Sequence, residues 1–232
     1  MDLNNMSMFG MAAHAFEQGG IWMIAIMVAQ IFSLAIIAER VFALFVARSK
    51  NQSKIAREFE EDIKKGRLDR VLHKARIMAA SEPIAAVACA GAQAVQDFGG
   101  RDEVQAKMDE VLAIENAKLE RRTGFLSMLG NVGTLLGLLG TIIGLIHAFS
   151  SIANLSASEK SIYLSQGVAL AMNATAYGLI VAIPALVMYA VLMNRTQHLQ
   201  DDLNQAAFRI FNWLSFSYEG APAKPSRPQK SV

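Results

Sequence analysis

Cysteine is almost absent. Cys89 stands alone in 232 residues, which excludes an internal disulfide framework and a metal centre built from several thiolates. A single small sulfur side chain is most simply a buried apolar residue. Charge is absent over two long stretches: residues 125–152 and 168–192 carry no acidic or basic side chain other than His147. Ordinary surface helices of soluble proteins keep a charged or polar face, so these two are of another kind. Lys and Arg are missing from the first twenty residues, so the basic start of a signal peptide is lacking, and the apolar block that follows is too long for a signal core. It reads as a retained span. There is no phosphate-binding glycine loop, no nucleophile triad and no His/Cys/Asp/Glu cluster. The expectation is therefore a protein that is not an enzyme, with no catalytic residue, no metal and no cofactor.

What is present is apolar and concentrated. Hydrophobic residues make up 53% of the chain, gathered into three blocks, the first being "IWMIAIMVAQIFSLAIIA" from Ile21 to Ala38. Each block is long enough to cross about 30 Å of hydrocarbon at 1.5 Å per residue. Lys and Arg fix an orientation: fifteen lie between Arg48 and Arg122 and five after Met193, against Lys160 alone in the connection at 150–165. Positive charge stays in the cytoplasm, so the N-terminus is outside, the middle segment and the C-terminus inside.

The predicted organisation is all-α with three transmembrane helices. A periplasmic segment (1–20) leads to a first transmembrane helix (21–46) and a cytoplasmic helical region (47–122). A second transmembrane helix (123–152), a periplasmic hairpin (153–165) and a third transmembrane helix (166–193) follow. A cytoplasmic C-terminal helix (194–218) and a disordered, Pro-rich tail (219–232) close the chain. Within the cytoplasmic region, "SKIAREFEEDIKK" stops at Gly66, and "SEPIAAVACAGAQAVQDF" starts with Ser81 as the cap and Pro83 in the first turn. From Asp102 onward, Val104, Met108, Val111, Leu112 and Leu119 recur at helical spacing with no breaker before the second span. One helix is thus expected to run from the cytosol into the bilayer. The third span is expected to continue in the same way through Leu199, Leu203, Ala206, Ile210 and Leu214.

The second span contains "GNVGTLLGLLGTIIGLIHAF". Its glycines, Gly130, Gly133, Gly137, Gly140 and Gly144, step by 3, 4, 3 and 4. Glycine costs a helix about 1 kcal/mol relative to alanine, so a whole face reduced to backbone implies something lying close against it. The third span answers with Ala171, Thr175, Gly178, Ala182 and Ala185, stepping by 4, 3, 4 and 3. Two such faces in neighbouring helices should pack together, as small residues do between membrane helices.

Polar residues in these spans admit two readings. Thr141 and Thr175 can satisfy their hydroxyls on the carbonyl one turn back, or they can line a polar pathway. Asn173, with Gln166 seven residues earlier, extends the polar character of the third span and should face protein or water. Neither span has Asp, Glu, Lys or Arg, so a proton route here has lining but no carboxylate carrier. His147 sits one heptad beyond Gly140 on the continuation of the glycine face, as an interfacial or hydrogen-bonded histidine or as a pH-sensing pore group. Glu39 and Arg40, at the inner edge of the first span, form an interfacial or inter-subunit ion pair.

"LLGLLGTIIGLIHAF" followed by "GVALAMNATAYGLIVAIPALV" closely resembles the MotA/TolQ/ExbB family of inner-membrane proton-channel subunits. The "GIWM...IIAERVFAL" start and the three-span order look like the TolQ and ExbB branch, whereas MotA-type subunits have four spans. The resemblance implies a homo-pentameric stator ring. In it, the second and third helices surround a pore holding a dimer of a one-span ExbD/TolR-like partner that carries a membrane aspartate. It implies that Thr141 and Thr175 match pore threonines beside that aspartate, and that Pro184 in "AIPA" matches a family proline. It implies a bacterial inner membrane setting, H+ as the transported ion, lipids as surroundings and no nucleic acid. The expected function is coupling of the proton motive force to mechanical work on the cell envelope, for TonB/Tol-like transport or gliding motility. A non-conducting helical scaffold anchoring a periplasmic protein is the competing expectation. One position departs from the pattern: Leu170 stands where related sequences have a glutamate, which favours a dedicated motility or secretion version.

Overall fold

The computed structural model describes residues 20–47, 51–97, 100–152 and 156–218. The expected N-terminal segment and C-terminal tail lie outside the described residues. The first transmembrane helix, α1, runs Gly20–Val41 and passes into a π-helical turn over Phe42–Ala47. Four shorter helices follow: α2 (Gln52–Lys64), α3 (Leu68–Met78), α4 (Pro83–Asp97) and α5 (Arg101–Glu120). Two long ones complete the chain, α6 (Thr123–Ser151) and α7 (Ala157–Tyr218). The described residues form no strand, and three helical stretches, in α1, α6 and α7, are long and apolar enough to cross a membrane. The all-α, three-span expectation therefore holds for the architecture.

The described residues fall into two compact units. One is drawn from Met1–Ala43 and Arg122–Met193, the other from Leu44–Arg121 and Asn194–Val232. In the first, α1 packs against α6, and its buried positions Met23, Ile26, Ala29 and Ser33 recur at helical spacing. The remaining face of α1, with Ile24, Met27, Val28, Ile31 and Phe32, is exposed on the single chain. That is the distribution expected of a helix whose outer face meets lipid or protein instead of water.

The second unit has a core of Phe59, Ile63, Val71, Ile84, Val87, Leu203, Ile210 and Leu214. Its helix starts are held by side chains distant in sequence. The Asp202 carboxylate accepts the Gln52 backbone N–H at 2.6 Å and the Ser53 hydroxyl at 2.7 Å, while Asn51 Oδ1 accepts Lys54 N–H at 3.0 Å. Together they satisfy two of the open backbone donors of the first turn of α2, those of Gln52 and Lys54. Gln52 Oε1 in turn accepts Ile84 N–H at 3.2 Å at the start of α4. Ser81 is not the cap that the sequence suggests: its hydroxyl turns back to donate to the Met78 carbonyl at 3.3 Å, and α4 begins two residues later. Gly66, at φ 70°, makes the turn between α2 and α3 in a conformation that suits glycine.

Two further boundaries differ from expectation. The helix from Asp102 does not run unbroken into the second span. It stops at Glu120, and Arg122 takes a left-handed φ of 66° before α6 starts. No glycine or proline marks the break, so the apolar periodicity passes through it unchanged. The hairpin at 153–165 is also shorter than expected, because α7 is helical from Ala157. Ser156 and Glu159 form a capping box there, with the Glu159 carboxylate accepting both the Ser156 N–H and its hydroxyl.

Candidate functional site

Two long helices can lie side by side at backbone contact only where neither carries bulk, and α6 meets α7 in this way. A side chain at Gly144 would meet Ala171 at 3.0 Å, and one at Gly133 would meet the Gly178 carbonyl and Val181 at 3.6 Å. At Gly137 a Cβ would lie 3.1 Å from both the Ala174 carbonyl oxygen and the Gly178 Cα, and at Gly178 it would lie 2.7 Å from the Gly133 carbonyl oxygen. At Gly130 the space left by the missing side chain is filled by Leu186, and the Ala182 carbonyl lies 3.4 Å from where a Cβ would be. Gly140, Gly178 and Ala182 are buried. Five glycines are unfavourable for an isolated helix; dispersion across a bare backbone interface offsets that here.

Thr141 and Thr175 meet beside Gly137. Their hydroxyls are hydrogen-bonded to each other, and each also reaches a carbonyl of the opposite helix. Thr141 Oγ1 lies 3.2 Å from the Ala171 carbonyl oxygen on α7, and Thr175 Oγ1 lies 3.2 Å from that of Gly137 on α6. Thr141 Oγ1 is also 3.2 Å from Gly137 O one turn back on its own helix. The pattern is crossed: each threonine reaches the carbonyl that lies one turn before the other. Thr134 shows the ordinary alternative, donating only to Gly130 O of its own helix at 3.1 Å.

Other residues of interest lie elsewhere. Asn173 is exposed on the single chain and does not join the threonine pair. Two residues along a helix are about 200° around its axis, so a neighbour of Thr175 at that step faces away from α6. His147 is exposed as well, and the buried position near the end of the seam is Ala148, with which a side chain at Gly167 would collide. A straight helix of 3.6 residues per turn drifts about 20° per heptad, and by the end of α6 that drift has moved the contact one residue on. The His147 backbone carbonyl is occupied, accepting from the Ser150 hydroxyl at 3.0 Å and the Ser151 hydroxyl at 2.8 Å.

Within the single chain Glu39 is paired at the edge of its span. The Arg122 guanidinium holds both Glu39 oxygens, at 2.6 and 2.7 Å, while Arg40 is buried. Side chains adjacent in a helix point about 100° apart, which leaves Glu39 to a partner 83 residues away. Pro184 sits in an α7 that continues through it, exposed on the single chain. Gly137 and Ala171 are visible in the sequence as members of the small-residue faces but not as backbone acceptors, because no side-chain signal points to a carbonyl oxygen. The pair itself has no titratable group, so it can orient and solvate but cannot carry a proton near neutral pH.

The profile of the MotA/TolQ/ExbB proton channel family matches residues 79–205, a segment that contains α6, both threonines and the glycine seam. A search of curated proteins found no match.

Proposed function

This chain belongs to the MotA/TolQ/ExbB proton channel family, a multi-pass membrane protein with three candidate spans, and on that premise we propose that it lines a proton pathway powering work on the cell envelope. The observation that supports this most is the crossed threonine pair, set between two membrane helices that have no charged side chain. Thr134 satisfies its hydroxyl on one carbonyl, whereas the two protons of this pair are shared among four contacts, which leaves a hydroxyl able to serve a polar species that comes to it.

The carrier is supplied by a second chain. A carboxyl group with a raised pKa exchanges protons near neutral pH, and the second and third spans contain none. The partner is a one-span protein of the ExbD/TolR kind, present as a dimer inside a homo-pentameric ring, and its membrane aspartate meets the threonines. On this reading the chain is of the TolQ/ExbB branch, which its three candidate spans support. It lies in the inner membrane with its N-terminus in the periplasm and its C-terminus in the cytoplasm, an orientation supported by the placement of Lys and Arg. Each proton falling through 100 mV releases about 2.3 kcal/mol, so several steps are summed into one movement of the partner. The output is TonB/Tol-like transport or gliding motility. The chain itself makes no covalent change and needs no metal or cofactor.

The glycine seam serves a non-conducting scaffold equally well, as do hydroxyls that only join the two helices; proton flux separates the readings. The test is proton uptake into liposomes by the reconstituted complex, with Thr141→Val and Thr175→Val compared with the unaltered protein. The complex should purify intact with reduced uptake. Unchanged uptake in the doubly substituted protein removes the threonines from the pathway.

A further inference from the structure

Gly137 contributes two things to the threonine pair. Its carbonyl oxygen faces donors from both helices, Thr141 Oγ1 and Thr175 Oγ1, each at 3.2 Å. Its missing side chain helps to set the helix separation, since a Cβ there would press on three backbone atoms of α7: Ala174 O at 3.1 Å, Gly178 Cα at 3.1 Å and Thr175 Cα at 3.3 Å. None of these atoms can swing aside by changing rotamer. One turn earlier, at Gly133, the same Cβ would be in ordinary contact at 3.6 Å.

The hydroxyls have two protons between them, while four contacts join them to each other and to the carbonyls of Gly137 and Ala171. At most two of the four carry a proton at once. One hydroxyl can donate to the other, and the receiving hydroxyl then has its own proton free for a carbonyl or for an outside acceptor.

We propose that Gly137 is the positioning residue of this pair: its bare backbone brings the two hydroxyls together, and its carbonyl holds the spare hydroxyl proton until an ionised carboxylate draws it away. The carboxylate is that of the membrane-spanning partner, so the inference rests on the pathway proposed above. When it is ionised, one hydroxyl rotates from Gly137 O toward it, exchanging a neutral hydrogen bond for a charge-assisted one of about twice the strength. When it is protonated, the hydroxyl turns back. Only rotation about the Cβ–Oγ bond is involved, and no O–H bond breaks. Thr141 and Thr175 therefore act as one unit, and losing either member, or the spacing between them, has the same effect.

The experiment uses the reconstituted complex and measures proton uptake at a fixed potential together with assembly by size-exclusion chromatography. The chains compared are Gly137→Ala, Thr175→Val, the double variant, and Gly124→Ala, whose added carbon meets nothing within 4 Å. Gly137→Ala should assemble and lose roughly ten- to hundredfold in flux, the order expected when a hydrogen bond to a charged group is lost. Gly124→Ala should match the unaltered protein, and the double variant should conduct no less than Thr175→Val alone. Normal flux in Gly137→Ala, or losses that multiply in the double variant, would overturn the proposal. If Gly137→Ala does not assemble, Thr141→Val, Thr175→Val and their combination decide it: equal residual flux in all three supports a single unit, and multiplying losses refute it while leaving the pathway intact. Normal flux in all three overturns the pathway and this inference together.

Discussion

Alanine substitution at Gly178 and at Gly130 should have opposite consequences although the nearest obstacle is equally close. At Gly178 a Cβ would lie 2.7 Å from the Gly133 carbonyl oxygen and 2.9 Å from the Gly137 Cα, both backbone atoms. At Gly130 the nearest atom is also at 2.7 Å, but it belongs to the side chain of Leu186, which is exposed on its outer side and can change rotamer. Both substitutions gain the same intrinsic helix propensity, about 1 kcal/mol, so the difference between them reports packing alone. To bring the Gly178 contact out to 3.4 Å, α6 and α7 would have to part by about 0.7 Å, and over-packing of this kind typically costs about 1–3 kcal/mol. Gly130→Ala should be about 1 kcal/mol more stable than the unaltered protein. Gly178→Ala should be neutral to about 2 kcal/mol less stable. For a chain of this size that separates the two unfolding midpoints by roughly 2–12 °C. The assay is thermal unfolding of both purified proteins in one detergent, with assembly followed by size exclusion. A midpoint for Gly130→Ala equal to or below that of Gly178→Ala would refute the assignment of the tight contact to backbone at Gly178.

Three other outcomes follow from the same contacts. Gly144→Leu should prevent α6 and α7 from closing, because Ala171 already lies 3.0 Å from the position of a Cβ, whereas Gly124→Leu enters open space; the recovery of assembled protein separates them. Gln52→Ala should destabilise the second unit by about 1–3 kcal/mol, since it strips the acceptor from the buried Ile84 N–H, and hydrogen exchange at the start of α4 reads the loss. Arg122→Gly should be more stable than Arg122→Ala, because both lose an ion pair whose partners are each 46% exposed, worth at most about 1 kcal/mol, but only glycine relieves the left-handed backbone. Equal unfolding midpoints for these two would mean that the backbone at this break is not strained.

The parts of the fold visible in the sequence are those carried by local period and composition. Apolar blocks without charge mark the spans, and a 3,4 spacing of small residues marks the face that meets a neighbouring helix, as at Gly137 and Gly178. The parts that are not visible depend on partners far away in the chain or on backbone geometry. Glu39 has its counter-ion 83 residues on, and nothing in the chemistry of an arginine announces that Arg122 will adopt a positive φ. Ala148 replaces His147 near the end of the seam because the real helix has 3.6 residues per turn, not 3.5. Asn173 and Thr175 look like one polar patch in the sequence and fall on different faces once wound into a helix. The capping box of Ser156 and Glu159 could have been read directly. Doing so would have moved the start of α7 to its observed place.

The central claim is that this chain provides the hydroxyl lining of a proton path and that a partner provides the carboxylate. The most direct measurement is proton uptake into liposomes at one imposed potential, taken for the chain alone, for its complex with the one-span partner, and for the complex in which the partner's membrane aspartate is replaced by asparagine. The account predicts uptake from the unaltered complex and little from the other two, with the asparagine complex purifying normally. Strong uptake by the chain alone would contradict it.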